Sequence, residues 1–235
     1  RFRMRMMSYR NVRFNFKMRL GRAFVVFILF PILGIISMYL AMPWVIKKID
    51  EFLHEGMEYG NKDFKPELSA GEYYVAVIVS GVIGTIGFVI IAIMMGVGFS
   101  VANMDSEAFT LSKVLPFGMV AILYFLIIVA TSAFYKAHIR NHLYNNTRVR
   151  DVAAFKSAVK FLPLAVLYAT NYLMLIFTLG LAYPWVKVRT SRFFADATDV
   201  TVFAGIEDVV ADSGAQDSAV ADEVIGAFDI DLSLG

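Results

Sequence analysis

Four stretches of this chain contain no Asp, Glu, Lys or Arg and are long enough to cross a bilayer: residues 23–46, 73–102, 114–135 and 161–186. A hydrocarbon core takes about 20 helical residues to span. Buried helices of a soluble fold can share such composition, but four of them in 235 residues leave no polar faces to meet water. Only 18% of the chain is charged and its mean hydropathy is +0.63, whereas a soluble domain is about 25% charged. Many of the 32 Phe and Tyr residues lie beside the apolar stretches, as anchoring at a membrane interface predicts. The expected fold is therefore an all-α polytopic membrane protein of four apolar helical segments. Absence of cysteine excludes disulfides, thiolate nucleophiles and Cys-based metal sites.

The net charge of +2 hides a split. Residues 1–206 hold all 22 Lys and Arg against 12 acids, and residues 207–235 hold eight acids and no base. Because the bases border apolar runs, they fit the topogenic pattern of a membrane protein, not a nucleic-acid surface. Three domains follow: a basic cytoplasmic segment (1–22), a membrane domain (23–206) and an acidic cytoplasmic tail (207–235). The chain opens at Arg1 without an initiator Met or a signal peptide. Residues 1–7 read as the end of an earlier helix, so an N-terminal truncation is expected.

The first and fourth segments match at a fixed offset of 141 without gaps. Phe14 meets Phe155, Arg19 meets Lys160, Ser37 meets Thr178, and Pro43-Trp44-Val45 meets Pro184-Trp185-Val186; Lys48 then meets Arg189, and Phe52 meets Phe193. Chance apolar similarity does not readily put a Pro-Trp pair, a base and an aromatic in register, so an internal duplication is expected. Each copy reads as an apolar helix, a bend at Pro-Trp, and an amphipathic basic helix at the interface.

Two topologies stay open. If all four segments cross once, Lys and Arg divide 12 to 10 between the sides, with none of the usual cytoplasmic excess. If the duplicated segments dip in and return, the division is 21 to one. Re-entrant backbone must then be buried in protein or line a wet cavity.

At these repeats the sequence resembles the YjgN family of bacterial inner-membrane proteins, built around a domain of unknown function. The residues that carry the likeness are Ser8-Tyr9-Arg10-Asn11-Val12-Arg13-Phe14, Arg140-Asn141-His142-Leu143 with Asn146-Thr147, and Leu179-Gly180-Leu181-Ala182-Tyr183-Pro184-Trp185-Val186-Lys187-Val188-Arg189. The acidic tail around Ala227-Phe228-Asp229-Ile230-Asp231-Leu232 is similar too. The resemblance implies a multi-pass inner-membrane protein and carries no activity over. The first copy departs from the pattern: Ser37-Met38-Tyr39 stands where the second has Thr178-Leu179-Gly180.

No nucleophile–base pair, phosphate loop or carboxylate cluster is present, so no enzymatic activity and no cofactor are expected. His138 and His142 share a helix face at metal-ligand spacing, but Lys136 and Arg140 beside them would repel a cation. Asn171, flanked by Tyr168, Thr170 and Tyr172, is the strongest polar group inside a segment. With Tyr168, Tyr172 and Thr178 it is the candidate lining of a cavity or, on the plainer view, an interhelical hydrogen bond. Ser80 and Gly84 form a small-xxx-small pair suited to close helix packing. In the tail, residues 207–216 read as disordered, while Val220, Val224, Ile225 and Phe228 share one helical face.

The function expected is transport or sensing of a small or amphipathic molecule by an inner-membrane protein. The alternative is a scaffold that regulates another envelope protein through its acidic tail. The partners expected are the lipid bilayer and a membrane protein or a second copy, with no nucleic acid.

Overall fold

The structure, a computed structural model, describes residues 8–10, 12–17, 19–104, 111–207 and 209, without the side chains of Phe99 and residues 101–104 and 111–114. Seven strands and six helices follow one another as β1 (Ser8–Tyr9), β2 (Val12–Phe16), α1 (Leu20–Ile36), α2 (Met42–Glu55), β3 (Met57–Tyr59), β4 (Lys62–Pro66), α3 (Ala70–Met104), α4 (Leu111–Asn145), β5 (Thr147–Val149), β6 (Ala153–Ser157), α5 (Phe161–Phe177), α6 (Tyr183–Asp196) and β7 (Thr198–Val202). The same phrase recurs three times: a five-residue strand, an outgoing helix, a returning helix and a further strand.

The strands form an antiparallel meander in the order β1 to β7. Phe14 faces Tyr59, Glu58 faces Asp63, Phe64 faces Val149, and Val149 faces Ala153. The all-α expectation is thereby corrected. The strands arise where apolar and polar residues alternate, as in Val12-Arg13-Phe14-Asn15-Phe16, with period two placing one set on one face. Two-residue connections close the first two hairpins, with Gly60 at φ +59 supplying a left-handed turn position.

The chain divides into two units, Arg1–Leu68 with Leu143–Lys156 and Val200–Gly235, and Ser69–His142 with Ser157–Asp199. In the first, Val12, Tyr59, Phe64, Val149, Val152 and Ala153 form the core with Ile206 and Val209. Phe64 stacks on Phe155 at 5.8 Å. Residues 206 and 209, at the border of the tail, are thus packed. The tail readings at 210–235 lie outside the described residues. Glu58 is buried and pairs with the exposed Lys17 ammonium. Burial pushes the Glu58 carboxyl's pKa up; Lys17 opposes that and Asp63 adds to it.

In the second unit, Ala70–Gly98 and Leu115–Asn145 are helices long and apolar enough to cross a membrane. Only 6% and 11% of their most apolar windows are buried, so their apolar surfaces are largely uncovered within the chain. α3 and α4 approach where glycine leaves room: a Cβ on Gly84 would touch Thr131 at 3.8 Å, and one on Gly87 would collide with Ile127. Past its apolar part, α4 carries the bracing residues. Asn141 Oδ1 accepts bonds from Ser157 Oγ and Val159 N, both 2.9 Å, and its Nδ2 donates to Val159 O at 2.9 Å. Arg140 lies 4.5 Å over the Phe194 ring and donates to Thr198 Oγ1 at 3.0 Å.

The stretches 23–46 and 161–186 are not single helices, so among the described residues two helices of spanning length are present instead of the four expected. α1 and α5, of 17 residues each, stop at Ile36 and Phe177, and the chain turns back within five residues. Lys17 N donates to Gly56 O at 2.9 Å, and Ala158 N to Ala197 O at 3.0 Å, closing each excursion at its base. Pro43 and Pro184 do not kink a helix. They lie in the first turn of α2 and α6, where a missing N–H has no intrahelical partner to lose. In α1 a π turn at Val25–Leu29 precedes Pro31, which cannot donate to the carbonyl four residues back.

Both tips have one construction. Tyr39 N reaches Gly34 O and Met38 N reaches Ile35 O; Gly180 N reaches Leu175 O and Leu179 N reaches Ile176 O. These are paired Schellman bonds, which cap the outgoing helix. The Ser37 and Thr178 hydroxyls donate back into that helix, at 2.8 Å to Gly34 O and 2.7 Å to Met174 O, and accept from Ala41 N and Ala182 N. Residues 38–39 and 179–180 all have positive φ. Every element bound of β2, α1 and α2 recurs 141 residues later.

Candidate functional site

The α5–α6 excursion carries the one polar cluster that the sequence singled out. Asn171, 4% exposed on α5, uses both ends of its amide: Nδ2 donates to Thr190 Oγ1 at 3.0 Å, and Oδ1 accepts from Arg189 Nη1 at 3.1 Å. The same guanidinium nitrogen lies 2.7 Å from Thr170 Oγ1, and Arg189 sits 5.3 Å over the Trp185 ring. The turn brings these groups together by laying α6 back along α5. Asn171 is therefore an interhelical clamp on a cation, and the sequence reading did not identify that partner.

The other candidates separate. Tyr168 packs on the cluster formed by Ala133, Ala137, Val159, Leu164 and Leu167, with its ring 6.2 Å from Tyr172. Tyr172 meets Phe125 edge-on at 6.4 Å. Thr178 belongs to the tip and does not reach Asn171's partners. Trp185 is half exposed beside Arg189, and Trp44 lies against Phe30 at 4.9 Å. His138 Nε2 lies 2.8 Å from Glu72 Oε2, while His142 Nε2 accepts from Ser69 N at 2.9 Å. Among the described residues no group of three metal-ligating side chains forms.

Beside the clamp lies an open groove of about 390 Å³ between α5 and α6. Pro163, Val166, Leu167, Val188 and Phe193 are its apolar lining, together with Trp185, Arg189, Arg192 and Asp196. An apolar lining that includes two guanidinium groups suits a molecule that has an apolar body and an anionic end.

The α1–α2 excursion treats the equivalent positions differently. Leu29, Phe30, Lys48 and Ile49 replace Thr170, Asn171, Arg189 and Thr190. Arg22 replaces Pro163 and binds Glu55 at 2.6 Å, while its guanidinium covers the Phe52 ring at 5.8 Å. Glu51, standing where α6 has Arg192, takes Lys47 at 2.7 Å and Lys48 at 2.8 Å. Burial works to raise the Glu51 pKa, but these two ammonium groups outweigh it and hold the carboxyl below its usual value. Ion pairs thus occupy one excursion where the other leaves an open groove.

No curated protein and no solved structure matches the chain. Residues 1–227 match the family described as Bacterial protein of unknown function (DUF898). With nearly its whole length inside that match, the chain belongs to the DUF898 family, which includes the YjgN-like bacterial proteins.

Proposed function

We propose that this is a multi-pass protein of the bacterial inner membrane, without enzymatic activity, that senses or moves an amphipathic molecule held in the α5–α6 groove. α3 and α4 cross the bilayer. The α1–α2 and α5–α6 excursions enter it and return, which keeps the basic stretches and the acidic tail on the cytoplasmic side.

The helical tips carry this reading. All six N–H groups from 37 to 42, and all six from 178 to 183, are bonded within the turn. Meanwhile Met38, Phe177, Leu179 and Leu181 are 82–93% exposed. A turn facing water has the opposite character, with polar side chains and hydrated backbone. Amide groups bonded without water under bare apolar side chains suit a hydrocarbon surrounding. The groove opens on the same helical pair, so its occupant can be drawn from the lipid phase.

Single cysteines at Leu179 and Met38, labelled with an environment-sensitive dye in reconstituted vesicles, should be quenched by spin-labelled acyl chains and shielded from iodide. Ready quenching by iodide would end the membrane reading. Val188→Trp should fill the groove and abolish binding of a fluorescent acyl-chain probe. If that probe binds the variant as it binds the parent, the groove is not the site.

A further inference from the structure

We infer that the occupant of the α5–α6 groove is an anionic phospholipid, with its phosphate on Arg189 and Arg192 and an acyl chain passing Val188 and Trp185 toward the tip. This rests on the membrane reading above and goes beyond it by naming the ligand class. Charge complementarity selects it. α1 and α2 together carry three bases, Arg22, Lys47 and Lys48, and three acids, Asp50, Glu51 and Glu55, paired as Arg22–Glu55 and Lys47/Lys48–Glu51. α6 carries Lys187, Arg189 and Arg192 against Asp196 alone. Among the described residues no carboxylate pairs with Arg189 or Arg192.

Arg189 is positioned by the chain itself. Its bonds to Thr170 and Asn171 fix the guanidinium without neutralising it, and guanidinium binds phosphate through two parallel bonds. Arg192, three residues on, shares its helix face and lines the same groove. Trp185, which lines the same groove, belongs at headgroup depth, beside a tip whose Leu179 and Leu181 require hydrocarbon around them. At that depth the available phosphate is a lipid headgroup.

The two tryptophans allow a test within one molecule. Trp44→Phe leaves Trp185 as the reporter, and Trp185→Phe leaves Trp44. Each full-length variant is reconstituted in mixed phosphatidylcholine–phosphatidylglycerol vesicles in which bromine is carried by one lipid or by the other. Trp185 should be quenched more by brominated phosphatidylglycerol, with local enrichment of about fivefold per uncompensated arginine. Trp44, beside neutralised bases, should show no preference. Arg192→Gln should lower the Trp185 preference about fivefold, and Arg192→Lys should keep it.

Equal quenching of Trp185 by the two brominated lipids would overturn the inference and leave the membrane reading intact. No quenching of either tryptophan by either lipid would overturn both. A preference that millimolar inorganic phosphate erases, and chloride of equal ionic strength does not, would assign the groove to a free anion and overturn the lipid.

Discussion

The α1–α2 and α5–α6 excursions share one backbone and two chemistries. Their helices, turns and closing bonds keep a constant offset, down to the hydroxyl that braces each tip. Their facing side chains do not. α1 meets α2 through Phe30 on Trp44 and Phe27 on Phe52, with the ions of α2 paired locally. α5 meets α6 through an amide–guanidinium clamp beside an open groove. On the proposed function, the first excursion is structural and the second holds the ligand.

Converting one excursion toward the other breaks the comparison most sharply. Asn171→Phe installs the α1 residue and removes an acceptor from Arg189 and a donor to Thr190, so it should cost about 2 kcal/mol in detergent-solubilised protein. Adding Arg189→Lys and Thr190→Ile, which completes the α2-like set, should recover much of that loss. If the triple variant is no more stable than the single one, the clamp is not what distinguishes the pair.

The tips differ in sign. Gly180 at φ +88 is in the region that L side chains resist, so Gly180→Ala should cost about 1–2 kcal/mol. Tyr39 at φ +67 already bears that strain, and Tyr39→Gly should gain up to about 1 kcal/mol. The two changes should therefore shift the thermal midpoint in opposite directions. Their hydroxyl braces should behave alike: Ser37→Ala and Thr178→Val each cost about 1 kcal/mol by the same assay.

The smallest effect is a pH dependence confined to α2. The Glu51 pKa is held below its usual value, so its contribution is present above the unfolded carboxylate range and fades as pH falls through the folded pKa. Glu51→Gln should lose that acid-side decline relative to the parent. Glu58, with its pKa raised, favours the fold at low pH instead, so the comparison must be made between these two proteins at each pH. α6 has Arg192 in place of Glu51 and should contribute no such decline.

The sequence disclosed the two long apolar helices better than the architecture around them. The apolar runs at 73–102 and 114–135 are α3 and α4 because nothing interrupts them. The strands were invisible among stretches read as basic loops, being at most five residues long and rich in Arg and Lys. Gly60-Asn61 between Met57-Glu58-Tyr59 and Lys62-Asp63-Phe64 is a hairpin signal that could have revealed the sheet. Asn171 was legible as the polar residue in an apolar run, but Arg189 was not legible as its partner. On one continuous helix the 18 residues between them span about 27 Å, and only a turn at Thr178–Gly180 brings them into contact.

Return of both excursions to the side they left is the central claim, and impermeant-maleimide labelling tests it directly. The sequence has no cysteine, so single cysteines can replace Tyr9, Asn61, Arg150, Asp199 and, between α3 and α4, Ser106. In oriented membrane vesicles the first four should label together from one face and Ser106→Cys from the other. Labelling of Tyr9→Cys and Asn61→Cys, or of Arg150→Cys and Asp199→Cys, from opposite faces would contradict the return of that excursion.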